Sequence, residues 1–388
     1  AFGRDTIPEQ PSVVAFTGAT VWTCGPKGRL DSATVIVRRG KVVAADTALA
    51  IPSGAMVIDC NGKHITPGLI DAHAHVATDG GINESGQTIS AEVRIGDFID
   101  SNDMSVYRQL AGGLTTSHVL HGSANVIGGQ NQLIKLRWSA GPEEMKFEDA
   151  PPTIKFALGE NPKQSNWGDK MVTRYPQTRM GVEQLMRDEF QAAREYKAAW
   201  DGYSKRSRGV IPPRRDLELD AVVEILDGER IIHCHSYRQD EILGFLKVMD
   251  DFEIKSATLT HILEGYKVAD EIARRGFGAS AFSDWWAYKI EVYDAIPYNG
   301  ALMHNAGVVV SFNSDSDDLA RRLNTEAAKA VKYGGLSEQE ALSLVTLYPA
   351  IQLGVEDRIG WLDEGKDADL AIWSGPPLST LSKCEQAW

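Results

Sequence analysis

Two histidines separated by a single residue stand directly after an apolar run in the first quarter of the chain. They are His73 and His75, with Ala74 between them. If residues 69–72 form a strand, positions 73 and 75 point to the same face, so both imidazoles can bind one metal ion. Taken alone, such a pair is more often two hydrogen-bonded polar residues at a strand end.

Two further histidines and an aspartate occupy similar places in the sequence. His235 and His261 each end a predicted strand, and Asp315 follows the apolar residues 308–312. In an α/β barrel the carboxyl ends of the strands meet at one face, where active sites are built. The sequence therefore predicts a metal centre at that face, with Asp315 as the carboxylate that takes a proton from water.

The elements that would position these residues alternate along the middle of the chain. Strand-sized apolar segments are followed by amphipathic segments of helix length, for example residues 230–233 before 240–250 and residues 257–261 before 266–275. This order predicts a parallel sheet. A strand count near eight favours a closed (β/α)₈ barrel over an open doubly wound sheet.

Both ends of the chain show a different pattern. Short apolar runs alternate with turn residues such as Gly25-Pro26 and Asn61-Gly62, and a similar rhythm returns near residues 370–373. We predict a small β domain that combines residues 1–65 and 354–388. Residues 66–353 form the larger domain.

Composition excludes several classes of protein. The 388 residues include 40 Lys and Arg against 53 Asp and Glu, a formal net charge of −13, which disfavours nucleic acid as a partner. No uninterrupted apolar stretch is long enough for a membrane span, and no Gly-rich nucleotide motif occurs. We expect a soluble protein, either cytoplasmic or exported after signal removal, that acts on a small molecule; assembly into a homo-oligomer stays open.

Two motifs resemble a known family. Residues 67–75, PGLIDAHAH, resemble the signature of the metal-dependent amidohydrolase superfamily, and residues 365–373, GKDADLAIW, are similar to the segment by which such chains return to their small domain. The likeness covers nearly the whole chain and is strongest to the imidazolonepropionase-like and prolidase-like branch. It implies a distorted (β/α)₈ TIM barrel with a small β-sandwich domain formed by both termini.

The resemblance also implies a set of metal ligands. His73 and His75 match the ligands of the first barrel strand, and Asp315 matches the aspartate of the eighth. His235 and His261 match the ligands of the fifth and sixth strands. The family implies Zn²⁺, as one or two ions, with another divalent metal as an alternative.

The assignment of His235 depends on its distance from an isoleucine. The similar families place an isoleucine seven residues after the fifth-strand ligand, as Ile242 stands here. This spacing selects His235 over His233.

The sequence leaves open which residue would bridge two metal ions. Some relatives use a glutamate and others a carboxylated lysine on the fourth strand, and this sequence offers both Glu160 and Lys155. Alternation along a strand makes it improbable that both point inward. We favour Glu160, because it stands at the end of the predicted strand, where a short carboxylate reaches the mouth.

These residues predict hydrolysis of the carbon–nitrogen bond of an amide, a cyclic amide or a dipeptide-like molecule. Substrate-binding residues are expected on loops at the carboxyl face of the barrel. Arg238 is of interest because it could hold a carboxylate with two hydrogen bonds. An aromatic run at residues 285–288 is a further candidate. The substrate-binding candidates are His121, Asn125, Tyr237 and Arg238.

Three other interpretations stay open. A deaminase would use similar ligands but attack an amidine-like carbon. An Xaa-Pro dipeptidase would be expected to carry a carboxylated Lys155. A barrel without metals could serve as a binding module, although such a module has no need for four strand-end histidines and Asp315. His64, His118 and His304 lack a ligand partner at a useful spacing and are expected to be structural.

Overall fold

The computed structural model describes residues 10–78, 80–170, 173–206, 209–285 and 288–388. Its strands are β1 (Val13–Trp22), β2 (Arg29–Arg38), β3 (Lys41–Asp46), β4 (Met56–Asp59), β5 (His64–Pro67), β6 (Leu69–Ala74), β7 (Leu114–Val119), β8 (Ile127–Gln130), β9 (Gln132–Lys135), β10 (Thr153–Ala157), β11 (Ile231–His235), β12 (Ala257–Thr260), β13 (Gly278–Ala281), β14 (Val309–Phe312), β15 (Leu370–Trp373) and β16 (Cys384–Ala387). Its α-helices are α1 (Met104–Leu110), α2 (Pro142–Met145), α3 (Glu160–Lys163), α4 (Arg179–Lys205), α5 (Leu217–Leu226), α6 (Gln239–Asp251), α7 (Ala269–Arg275), α8 (Asn299–Asn305), α9 (Leu323–Gly334), α10 (Glu338–Ser343) and α11 (Leu347–Gln352). Short 3-10 helices cover Ile95–Phe98, Gly168–Lys170, Gly265–Lys267, Ile290–Val292 and Leu319–Arg322. The chain is a mixed α/β protein.

Strands from both ends of the chain form one seven-stranded sheet. Its order is β16-β15-β5-β1-β2-β3, with β4 also paired to β1. The expectation that the two ends share a sheet is confirmed, since Leu370 of β15 lies opposite Pro67 of β5. This sheet is mixed, because β2 runs antiparallel to β1 and β3, whereas β4 and β5 run parallel to β1. A second layer, as in a β-sandwich, stays a prediction.

The middle of the chain contains the expected parallel strands. Strands β10, β11, β12, β13 and β14 pair in chain order, and each pair is parallel. Helices α6, α7 and α8 connect the last four of them. Strands β6 and β7 form a second parallel pair with α1 between them. The strand-then-helix order predicted from the sequence is confirmed.

Two short antiparallel strands interrupt this arrangement. Strand β9 pairs with β7, and β8 pairs with β10. As a result, the described strands in the middle of the chain form two sheets, β14-β13-β12-β11-β10-β8 and β6-β7-β9, and no continuous ring. The closed barrel stays a prediction. The sequence did not indicate β8, because Gly128 and Gly129 break its apolar pattern.

The longest helix among the described residues was not expected from the sequence. Helix α4 runs from Arg179 to Lys205, and the side chain of Thr178 caps it by accepting a hydrogen bond from Gly181 N at 3.2 Å. Val182, Met186 and Phe190 recur every four residues and are buried. This spacing forms the apolar stripe that packs the helix on the sheet. No helix in the described ranges is long and apolar enough to cross a membrane.

Candidate metal centre

Strand β6 directs His73 and His75 to one side of the sheet, as the two-residue period of a strand requires. His73 is fully buried at the end of β6, and His75 follows just beyond it. Their Nε2 atoms lie 3.5 Å and 3.1 Å from Oδ1 of Asp315. One ligand atom from each of these three residues lies within 4.8 Å of the others. This spacing suits three ligands of one metal ion.

His261 joins this group from the end of β12, which lies two strands from β14 in the same sheet. It follows β12 directly and has a left-handed backbone with φ of 57°. Its Nε2 lies 3.2 Å from Nε2 of His73 and 3.7 Å from Oδ2 of Asp315. Burial lowers the pKa of His261 to about 3, so the ring is neutral near pH 7 and one of its nitrogens has a lone pair for a metal.

His235, at the end of β11, lies beside His261. Their ring centroids are 5.2 Å apart. Both ring nitrogens of His235 are buried and have no hydrogen-bond partner within the described part of the chain. Both ring nitrogens of His233, two residues earlier, are likewise unpaired, but its ring packs on His118 with ring centroids 4.5 Å apart. His235 therefore differs from His233 in lying beside His261.

The carboxylate of Asp315 lies among the histidine nitrogens. Its backbone N donates to the carbonyl of His73 at 3.1 Å, which holds the loop after β14 against β6. Burial alone would raise the pKa of Asp315, but His261 and His75 lower it to about 2. The group is therefore ionised near neutral pH, as a proton acceptor must be.

A backbone contact fixes the orientation of the His75 ring. Nδ1 of His75 lies 2.9 Å from the carbonyl oxygen of Leu120. A carbonyl only accepts hydrogen bonds, so Nδ1 carries the proton and Nε2 presents its lone pair to the centre. This is the arrangement that ligand histidines commonly adopt.

The structure separates the two candidates for the bridging position. Nζ of Lys155, on β10, lies 3.1 Å from Nε2 of His73 and is fully buried. Glu160 instead begins helix α3, and its carboxylate pairs with Nζ of Lys289 at 2.9 Å. Glu160, which the sequence analysis favoured, thus has its carboxylate engaged by a lysine. Lys155 is the residue in contact with the cluster.

The ring of His121 and the amide nitrogen of Asn125 support a loop, whereas Oδ1 of Asn125 is buried without a hydrogen-bond partner among the described residues. Nε2 of His121 accepts from Glu84 N at 2.8 Å, and its Nδ1 donates to the Gly122 carbonyl at 2.9 Å. The Asn125 amide donates to the carbonyls of Glu84 and Gln87 at 2.6 Å and 2.8 Å. Both residues therefore fix the segment around residues 84–87, and neither His121 nitrogen is left for a substrate.

Tyr237 and Arg238 lie in different surroundings although they are adjacent in sequence. The Tyr237 ring packs on His235 at 4.5 Å between centroids, and its hydroxyl lies 3.1 Å from that of Tyr288. Arg238 is partly exposed and pairs with Asp240 at 3.1 Å. The structure thus places Tyr237 against a candidate ligand, whereas Arg238 makes the ion pair with its near neighbour.

Sequence reasoning missed Lys289, which lies close to Tyr237. Its Nζ is 4.6 Å from the centroid of the Tyr237 ring. The aromatic run also contributes, since Trp285 stacks on Phe282 at 4.3 Å and Phe282 stacks on His261 at 4.7 Å. The other residues of that run, 286 and 287, lie outside the described residues. A lone lysine between aromatic residues gave no motif that could have identified it.

The remaining histidines make structural contacts, as expected. His118 donates from Nδ1 to the Ala72 carbonyl at 3.1 Å and accepts at Nε2 from the Thr153 hydroxyl at 2.7 Å. His64 accepts from the Trp22 indole at 3.0 Å. His304 lies 3.6 Å from Glu340. These contacts place the three rings in networks separate from the centre.

Comparison with known proteins identifies similar sequences over different lengths. The model of the amidohydrolase family matches residues 298–387. Amidohydrolase tasK of Hapsidospora irregularis is 30% identical over 91% of this chain, which spans only 39% of that protein. An imidazolonepropionase of Thermoplasma volcanium is 23% identical, over 88% of this chain and 84% of its own length.

A solved structure matches the whole described architecture. It is that of an amidohydrolase from Thermotoga maritima MSB8, with a TM-score of 0.87 and 30% sequence identity. The alignment covers 97% of this chain and 97% of that one.

Proposed function

This chain belongs to the amidohydrolase family, and on that premise we propose that it hydrolyses a carbon–nitrogen bond of a small amide, cyclic amide or dipeptide-like substrate with the aid of a divalent metal ion. The observation that carries the proposal is the convergence of His73, His75 and Asp315. Their ligand atoms lie within 4.8 Å of one another although Asp315 comes 240 positions after His75 in the sequence.

The residues present fit a metal ion. Several buried polar atoms of this cluster have no hydrogen-bond partner among the described residues: Nδ1 of His73, both ring nitrogens of His235, Nδ1 of His261 and Oδ1 of Asp315. Unsatisfied buried polar atoms are unfavourable, and a cation at the centre would remove that cost for Oδ1 of Asp315 and for one nitrogen of His235. At His73 and His261 it would bind Nε2, which faces Asp315, because a neutral imidazole offers one lone pair. Imidazole and carboxylate ligands suit Zn²⁺.

We assign the ligands as His73, His75, His235, His261 and Asp315, with Lys155 in the bridging position. The contact between Lys155 and His73 supports the lysine, and the ion pair between Glu160 and Lys289 argues against the glutamate. An unmodified ammonium cannot donate a lone pair to a metal. Lys155 would therefore serve after its amine has added carbon dioxide to form a carbamate and a proton.

The chain supplies the proton transfers and the substrate contacts of this reaction. A divalent ion, when bound, lowers the pKa of water and polarises a carbonyl group. Asp315 accepts a proton from the attacking water and returns it to the leaving nitrogen, so that one carboxylate acts first as base and then as acid. The Tyr237 ring covers His235 and limits access of bulk water.

A dipeptidase is the second candidate, and the position of Lys155 favours it. A carboxylated lysine is expected in an Xaa-Pro dipeptidase, and Lys155 is the lysine in contact with His73. A deaminase would instead release ammonia from its substrate.

We further propose the domain organisation expected from the sequence. Residues 66–353 would form the distorted barrel, and residues 1–65 with 354–388 the small domain. A separate apolar cluster that includes Phe16, Val35 and Ile372 supports the second unit. The hydrogen bond from Asp315 N to the His73 carbonyl supports closure between β14 and β6.

The experiment that tests the function is a hydrolysis screen with and without a chelator. N-acyl amino acids, dipeptides, cyclic amides and amidine-containing compounds are incubated with zinc-loaded protein, and amine and ammonia release are measured separately. Amine release that the chelator abolishes and zinc restores supports the proposal. Ammonia release alone supports the deaminase, and the absence of any turnover across the screen contradicts a hydrolase of these classes.

A further inference from the structure

Lys289 makes an unusual set of contacts beside the candidate metal centre. Its Nζ lies 2.9 Å from Oε1 of Glu160 and 3.3 Å from Oε2 of Glu291. It also lies over the rings of Tyr237 and Tyr288, at 4.6 Å and 5.9 Å from their centroids. One ammonium thus faces two carboxylates and two aromatic rings. The side chain is 21% exposed, so this end of the site is open to solvent.

The two carboxylates are held differently. Glu291 is 6% exposed, and its Oε1 accepts from the backbone N of Glu160 at 2.9 Å. A Cβ at Gly159 would meet that same oxygen at 2.2 Å, so the turn closes tightly on Glu291. Glu160 is 18% exposed. Glu291 is therefore the fixed counterion of Lys289, and Glu160 is the partner that can leave.

The position of Tyr237 connects this lysine to the metal centre. The ring contacts both Nζ of Lys289 and the His235 ring, with distances of 4.6 Å and 4.5 Å from its centroid to the ammonium and to the His235 ring centroid. The cation and a candidate ligand thus share contact with one aromatic ring. An amide that reaches His235 and carries an anion a few bonds away can span this distance.

We propose that Lys289 binds the carboxylate of an acidic amide substrate, such as an N-acyl amino acid, and that this carboxylate displaces Glu160. The inference rests on the proposed function, because it names the substrate class of the same site. The exchange replaces one carboxylate by another as the direct partner of the ammonium, so Lys289 keeps two ion pairs. Arg238, which was expected from the sequence to bind a substrate carboxylate, forms an ion pair with Asp240 instead.

Binding of a probe that is not turned over tests the proposal. The probe is N-acetyl-L-phenylalanine, with N-acetyl-L-phenylalaninamide as its uncharged match, titrated calorimetrically into zinc-loaded Asp315→Asn protein. When Lys289→Met is combined with Asp315→Asn, the double variant should bind the acid about tenfold more weakly than Asp315→Asn alone, as expected for loss of a charge-assisted hydrogen bond. An unchanged affinity for the acid, or an equal loss for acid and amide, overturns the proposal.

Lys267→Met is the matched control. Lys267 also pairs with two carboxylates, Glu264 and Asp294, lies over the Tyr266 ring and is 23% exposed. Its removal should leave binding of the acid unchanged. An equal loss of affinity in both variants would overturn the assignment to Lys289, since it would indicate a general effect of surface charge.

Glu160→Gln tests the displacement. Removing the competing carboxylate should tighten binding of the acid at least threefold and leave zinc content unchanged. Loss of zinc would show that Glu160 is a metal ligand, as expected from the sequence. Either loss of zinc or weaker binding of the acid would overturn the displacement. Because these readouts need no turnover, a failure of hydrolysis in the screen leaves the carboxylate subsite separately testable.

Discussion

The carboxylate of Asp71 accepts two hydrogen bonds from Ser314. The backbone N of Ser314 donates to Oδ1 at 3.1 Å, and its hydroxyl donates to Oδ2. Asp71 lies on β6 two residues before His73, and Ser314 directly precedes Asp315. These bonds join the strand that carries two candidate ligands to the loop that carries the candidate base.

Replacing Ser314 with alanine should impair turnover more than stability. The variant keeps the backbone bond but loses the hydroxyl bond, so Asp315 is held less firmly. We expect kcat to fall about tenfold with little change in KM, because small misplacements of a catalytic group are costly. Steady-state kinetics on the best substrate of the screen measures this. Ser343→Ala, which removes a buried hydroxyl bonded to the Gln339 carbonyl, is the control; equal kcat in both variants would contradict the positioning role.

Asp315→Asn should fold normally and lose activity. The amide cannot accept the proton from water, and general base catalysis contributes about 10²–10⁴-fold to rate. Circular dichroism and kcat/KM measure the two effects. Asp318→Asn, at an exposed residue nearby that pairs with Arg321, should be fully active. Turnover within twofold of the unmodified enzyme in Asp315→Asn would refute the assignment.

The sequence predicted the cluster of His73, His75, His261 and Asp315 because each residue follows an apolar strand and strand ends meet in space. The position of Glu160 could not be predicted from the sequence, since its assignment as a ligand assumed that the strand continues to residue 160. Strand β10 instead stops at Ala157, and Gly159, with φ of 83°, turns the chain into α3. Glu160 therefore faces Lys289, a contact between residues about 130 positions apart that no local pattern reveals.

In the fold, too, some elements could be predicted from local sequence patterns and others could not. The parallel strands β10–β14 were predictable, because their apolar residues are contiguous and buried on both faces. The β8 and β9 strands were not, since they are four residues each and their partners β10 and β7 are not adjacent to them in sequence. Helix α4 was missed because its apolar stripe lies within a largely polar segment.

Lys155→Met should reduce bound metal without unfolding the protein. Methionine is similar in length and apolar, so it suits the buried position, but it cannot form a carbamate. We expect zinc content to fall by about half, as loss of a bridging ligand predicts for a two-metal site. Elemental analysis measures this. Full zinc content in Lys155→Met would remove the lysine from the ligand set.

A cluster of carboxyl groups away from the centre predicts how stability varies with pH. Burial, together with Glu189 and Glu92, raises the pKa of Glu218 to about 8 from 4.5. The folded state therefore holds more protons than the unfolded state between these values, and the free energy of unfolding falls as pH rises through this window. Glu218→Gln should raise Tm by about 2 °C at pH 8.5, with a smaller difference at pH 5.

The control for this prediction is Glu195→Gln, an exposed position on the same helix as Glu189. It should leave Tm unchanged at both pH values. A Glu218→Gln effect that is equal at pH 5 and pH 8.5 would exclude a titrating carboxyl as the cause.

Zinc content of the purified protein, measured beside that of His235→Ala and His304→Ala, tests the central claim most directly. Both ring nitrogens of His235 are buried without a partner among the described residues, whereas His304 lies beside Glu340. The proposed ligand set predicts that the protein binds zinc, that His235→Ala loses most of it and that His304→Ala retains it. Absence of metal even after addition of zinc, or undiminished zinc in His235→Ala, would contradict the metal centre.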